Sequence, residues 1–210
     1  MINTPNIPVK LNELIDITKH METYDYIEES NIQNETLNNA VIKSPEFLKS
    51  KFNNTTFFVC NLEKAYFCDC IFTNCDLSNL DVTNASFKRC HFISCKFNNS
   101  NFNTAYLEDT LFTDCVIKDS TFYEANFKNV EFNSCDLSRC LFANVKFRTI
   151  LFKDCNLLES DFSKSKLQGI DFTTCNIDGI IITEKELRGA IFTTMQAISF
   201  LKLLGIKIKD

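Results

Sequence analysis

Tryptophan is missing from this 210-residue chain, glycine occurs only 4 times and histidine only 2 times. So few glycines leave little scope for loops that cradle phosphates, and no Gly-x-Ser-x-Gly, Walker or dinucleotide motif is present. The two histidines, His20 and His91, have no neighbours in sequence that would build a catalytic triad or a zinc site. No stretch approaches the ~18 apolar residues of a membrane span, and no basic head with an apolar run opens the chain. An excess of positive charge is also lacking: the formal net charge of −5 argues against direct binding of nucleic acid. These absences exclude an enzyme, a cofactor and a membrane partner. They make the chain a cytoplasmic protein whose cysteines stay reduced.

What is there is 21 phenylalanines, 11 cysteines and a period. Every fifth residue from Leu37 through Phe192 is apolar, and most are Phe. Neither the 3.6-residue helix period nor the 2-residue strand period produces this pattern. Two residues before each of them the side chain is small, with Leu80, Ile150 and Ile170 the exceptions between Ser50 and Cys175. A unit that hides one large and one small side chain cannot bury itself alone and must stack into a solenoid. A longer period counts the sides. At spacing twenty, Phe52, Phe72, Phe92, Phe112, Phe132, Phe152, Phe172 and Phe192 form one column, and Cys75 through Cys175 another. Four units therefore make one turn. Ten of the cysteines occupy the small inward position, where a free Cys packs as a compact hydrophobe, so no metal is needed to explain them. Cys68 alone is out of register.

Units such as Ala105-Tyr106-Leu107-Glu108-Asp109 and Cys135-Asp136-Leu137-Ser138-Arg139 resemble those of the pentapeptide-repeat proteins. The resemblance implies an all-β fold, a right-handed quadrilateral β-helix, with coils stacked ~4.8 Å apart and a short C-terminal α-helix. We assign residues 1–31 to an N-terminal cap. Residues 32–192 are the solenoid, about eight coils without inserted loops and roughly 40 Å long, and 193–210 are a C-terminal helix and tail. Thr193 or Thr194 can cap a helix over Met195–Leu204, and Gly205 can stop it. That helix is apolar around most of its circumference, so one side can lie on the last coil while another needs a partner. The segment from Leu187-Arg188-Gly189-Ala190 through Gln196-Ala197 and Leu204-Gly205-Ile206 resembles the C-terminal module of the quinolone-resistance pentapeptide proteins, in the loopless form of Gram-positive bacteria. The resemblance implies an end-to-end homodimer, with Met195, Ile198, Leu201, Leu204 and Ile206 in its interface.

Outward charges are unevenly shared. The Phe52 side carries Asp114, Glu131, Asp154 and Asp171 against Lys51 and Lys153. The Cys75 side carries Asp76, Asp119, Asp136, Glu159 and Asp178 against Lys96, Lys118 and Arg139. The next, the Glu63 side, adds Asp81, Glu124, Asp161 and Glu184 against Lys64 and Lys164. Only the Ala65 side is basic: Lys88, Arg89, Lys128, Lys146, Arg148, Lys166, Lys185 and Arg188 outnumber Asp69, Glu108, Asp109 and Glu186. With the family resemblance, three contiguous acidic sides point to a mimic of duplex DNA. It would bind DNA gyrase or topoisomerase IV, inhibiting the enzyme or shielding it from quinolones. The alternative is a non-catalytic scaffold for another protein partner.

Overall fold

The computed structural model describes residues 2–207, and the side chains of Lys202 and Leu204 lie outside the described part. The register begins earlier than residue 32. Strand β1 (Asn12–Leu14) pairs with β3 (Ser30–Gln33), and β2 (Tyr26–Glu28) pairs with β5 (Glu46–Leu48). A short helix, α1 (Ile17–Thr23), covers the first coil with buried Ile17 and Met21. From there the ladder is parallel throughout. The Phe52 side, begun by β1 and β3, continues with β6 (Lys51–Asn53), and β4 (Thr36–Asn38) pairs with β7 (Thr56–Phe58) on the Cys75 side. Longer strands follow: β8 (Tyr66–Thr73), β9 (Ser86–Ile93), β10 (Tyr106–Thr113), β11 (Asn126–Asn133) and β12 (Lys146–Lys153). Each of these bends round one corner to serve both the Ala65 and Phe52 sides. The other two sides are turns joined by single bridges such as Asp76↔Lys96 and Asp81↔Asn101.

The corners explain the scarcity of glycine. One residue in five has a positive φ, from Glu29 to Lys164 with Thr149 the one exception, and the commonest residues there are Asn and Asp. Their short polar side chains tolerate the left-handed region better than other non-glycine residues do. Glycine enters only near the C-terminal end, at Gly169, Gly179, Gly189 and Gly205. At Gly189 (φ +79°) a Cβ would sit 2.9 Å from Cγ of Gln168.

Inside, like stacks on like. Phe52 and Phe72 lie 4.4 Å apart and 4° from parallel, and Phe67 and Phe87 lie 4.7 Å apart at 1°. Ring quadrupoles disfavour a face-to-face sandwich, but the ladder imposes it. Neighbouring columns supply edge-on contacts instead, as in Phe92–Phe97 at 5.1 Å and 81°. The small inward residues also bond. The thiols of Cys75, Cys95 and Cys115 donate to the carbonyls of Phe52, Phe72 and Phe92 at 3.4, 3.5 and 3.4 Å. The hydroxyls of Ser100 and Ser160 do the same toward Leu77 and Leu137 at 2.8 and 2.7 Å. Ala, Cys, Ser and Thr share this position because it holds a small group, and three of them also satisfy a buried carbonyl.

About seven regular turns precede the coil that starts at residue 166, one fewer than the periodicity suggests. There the two strand sides part. No bridge joins 146 to 166 or 151 to 171 among the described residues, while Leu141↔Asp161 and Asn156↔Asn176 hold the other two sides together. The Phe column widens in step, to 5.9 Å between Phe152 and Phe172. The fourth side ends at Thr183, which caps the short helix α2 (Glu184–Leu187).

Candidate functional site

Two surfaces are candidates, the acidic sides and the C-terminal module. Of the predicted acidic residues, Asp114, Asp119, Glu124, Asp154, Glu159 and Asp171 are exposed, whereas Asp76, Asp81, Glu131, Asp136 and Asp161 are half-buried. The reason is local. Half-buried Asp76, Asp81, Asp136 and Asp161 each accept a bond from the backbone N–H two residues on, bracing the turn, and exposed Asp171 makes the same bond near the end of the solenoid. The Cys75 side is further neutralised by Arg139, which grips both carboxylate oxygens of Asp119 at 2.6 and 2.9 Å, and by Lys118 at 3.0 Å from Asp136. The Arg139 guanidinium holds the Asp119 carboxyl below its ordinary range. Among the described residues, only Asp119 and Asp136 of the predicted acidic set have a cationic partner. Asp76, Asp81, Glu124, Asp161 and Asp171 accept hydrogen bonds instead, and the carboxylates of Asp114, Glu131, Asp154 and Glu159 have neither kind of partner. Three of these four lie along the Phe52 side.

The C-terminal module has a buried and an exposed aspect. Helix α3 (Thr194–Phe200) is opened by a capping box between Thr193 and Gln196, and a 3-10 turn (Leu201–Leu204) continues it. Hence the predicted helix is real, but its last turn tightens. Phe200 is buried against Phe192, with ring centroids 4.8 Å apart. Gln196 Nε2 donates to the carbonyls of Phe172 and Cys175, both at 2.9 Å, so one side chain closes two open acceptors of the last coil. Met195 (78% exposed), Ile198, Leu203 and Ile206 face away, and Leu201 is half-buried. The side chain of Leu204, also predicted for the interface, lies outside the described part.

The basic side holds what the periodicity did not disclose. Asp69 and Asp109 are buried, at corner positions beneath the N-terminal segment. Asn6 N–H donates to Asp69 at 2.8 Å, and the Asn3 side chain donates to Asp109 at 2.8 Å. Residues 3–6 therefore run along the rod, over the corner between the Ala65 and Phe52 sides, rather than across its end. Arg89 braces Asp69 from the next coil, at 2.6 and 2.7 Å. Burial would raise the Asp69 carboxyl, but the bonds from Arg89 and Asn6 outweigh it and hold it below its ordinary range. Two aspartates forty residues apart on an otherwise basic side were the only sequence signal.

Ten of the cysteines lie in buried packing columns, and Cys68, half-buried, sits instead beside Asp69 and Arg89. All eleven are free, and burial pushes the Cys60 and Cys140 thiols up. No group of three metal-ligating side chains occurs among the described residues. No helix among them is long and apolar enough to cross a membrane.

A four-sided parallel ladder with a five-residue unit, flanked by short helices, defines a class of β-solenoid. The family described as pentapeptide repeat region matches residues 65–138 and 125–199, and the chain belongs to it. Among solved structures it is similar to trypsin-treated QnrB1, a plasmid-mediated fluoroquinolone resistance protein. The identity there is 20% and the TM-score 0.45, over 95% of this chain and 96% of that one. It is also similar to HetL, a pentapeptide repeat protein involved in heterocyst differentiation regulation from the cyanobacterium Nostoc. That match has 15% identity and a TM-score of 0.33, over 85% of this chain and 98% of that one. No curated protein matches the chain.

Proposed function

We propose that this protein is a non-catalytic mimic of duplex DNA, binding DNA gyrase or topoisomerase IV as a homodimer. In doing so it inhibits the enzyme or protects it from quinolones. The observation that carries this reading is the segregation of charge: carboxylates prevail on three contiguous sides of the solenoid. The unpaired ones (Asp114, Glu131, Asp154) run along the Phe52 side at coil spacing. A positively charged DNA saddle would meet them much as it meets phosphates. The exposed Met195, Ile198 and Ile206, with half-buried Leu201, supply an apolar end that a second copy would cover, doubling the length of the rod. A gyrase supercoiling assay, with and without a quinolone, tests the reading. Wild-type protein should inhibit or protect, increasingly so at low salt. Reversing Asp114, Glu131 and Asp154 to Lys should abolish the effect, while Lys88→Gln should leave it intact. Absence of any effect from wild type would leave a scaffold for another protein.

A further inference from the structure

Toward the C-terminal end of the Ala65 side the cations change character. In the earlier coils they alternate with acids and pair with them, Arg89 with Asp69 and Lys128 with Glu108. In the later coils Lys146, Arg148, Lys166 and Lys185, with Lys164 at the adjoining corner of the Glu63 side, have no ion-pair partner among the described residues, and Arg188 reaches only Glu184, at 3.8 Å and well exposed. Lys146 and Lys166 follow each other in one column and line the same cleft, where like charges repel. The one carboxylate in their midst, Glu186, is buried and already accepts bonds from Thr183 and the Lys164 N–H.

These cations surround the place where the ladder opens. Two adjoining clefts lie here, one of about 400 Å³ between the parted coils, beside Val145 and Phe147, the other of about 540 Å³ between the 163–168 segment and residues 183–188, beside Leu167 and Gln168. In a regular coil the backbone N–H groups of this side bond to the coil before or after. Those of Lys166, Leu167 and Gln168 donate to no protein acceptor among the described residues. An opening with unspent main-chain donors, walled by unpaired ammonium and guanidinium groups, is complementary to oxygen-rich anions. We propose that it binds a compact ligand bearing two or more phosphates, of the size of a nucleotide or short inorganic polyphosphate. A single phosphate would answer only part of the charge, and the larger cleft is bounded on one flank by Thr183 and Glu186. This site is on the opposite charge pole from the acidic sides and does not depend on the topoisomerase reading.

Calorimetric titration of the full chain with tripolyphosphate and, separately, with ATP tests it. Binding should be measurable below millimolar concentration and should weaken as salt rises. Lys146→Gln combined with Lys166→Gln should weaken it at least tenfold, while Lys88→Gln on the same side changes it less than twofold. All three side chains are at or near the surface, so melting curves of the variants should match wild type. Equal affinity for the two probes would mean that phosphates alone are read, and tighter ATP binding would add recognition of the base. No binding of either probe would overturn the proposal. So would equal loss in the Lys88→Gln control, or retention of duplex DNA by these lysines that tripolyphosphate fails to displace.

Discussion

At each corner a single residue bends the chain through the left-handed region, and the side chain there decides the local strain. Val59 is the poorest choice, a β-branched residue at φ 51° with 56% of its surface exposed. Val59→Asn should therefore stabilise the protein by about 1 kcal/mol, since it relieves strain and exposes nothing new. Chemical denaturation would read this as a raised midpoint, and a lowered midpoint would show that Val59 packs. The small inward residue can be tested in the same way. Ser100 donates to the Leu77 carbonyl at 2.8 Å and accepts from the Leu80 N–H at 3.3 Å. Ser100→Ala should cost about 1–2 kcal/mol by leaving a buried carbonyl and N–H short of a partner. Ser100→Cys should cost less, because a thiol does this work in the neighbouring columns.

Among the elements, the N-terminal segment has the least intrinsic structure and is tied down by two buried carboxylates. At Asp109, as at Asp69, burial would raise the carboxyl, and bonds from Asn3 and Asn129 instead hold it below its ordinary range. A group whose folded value is depressed stabilises the native state above its unfolded value, and that contribution disappears as pH falls through the folded value. The attachment of residues 3–6 should therefore hold at neutral pH and loosen on acidification below about pH 4. Limited proteolysis across that range should show the N-terminal residues becoming susceptible before the coils melt. The double variant Asp69→Asn, Asp109→Asn should be susceptible already at pH 7, with little further change in acid. A segment equally resistant in the variant would mean that its attachment rests on other contacts.

For the molecule as a whole, the C-terminal end decides whether the rod is single or double. Phe200 closes the core, whereas Met195 and Ile198 do not. Met195→Asp with Ile198→Asp should therefore yield a folded monomer, by placing carboxylates in the interface without opening the core. Phe200→Asp should instead lower the melting temperature by placing an unpaired charge in the core. Light scattering and thermal melting together separate the two. A wild type that is monomeric at high concentration would remove the homodimer from the proposed function.

The five- and twenty-residue periods determined the number of sides, the inward Phe and Cys columns and the sharing of charge among the faces. Those features were legible because each depends on one residue type recurring at one position, with every coil facing the same environment. The acidic sides were legible only as totals. Which carboxylates remain free was decided by bonds across coils, such as Arg139 on Asp119. The course of the N-terminal segment was likewise decided by tertiary contact, because Asn3 meets Asp109 more than a hundred residues away and nothing periodic announces it. The parting of the ladder beyond Lys146 follows the same logic. Leu167 and Ile170 both stay inward, and although Ile150 and Ile170 are large for the small position, the five-residue period by itself still reads as another coil. Whether a coil closes onto its neighbour depends instead on backbone bonds, and those depend on how both coils pack.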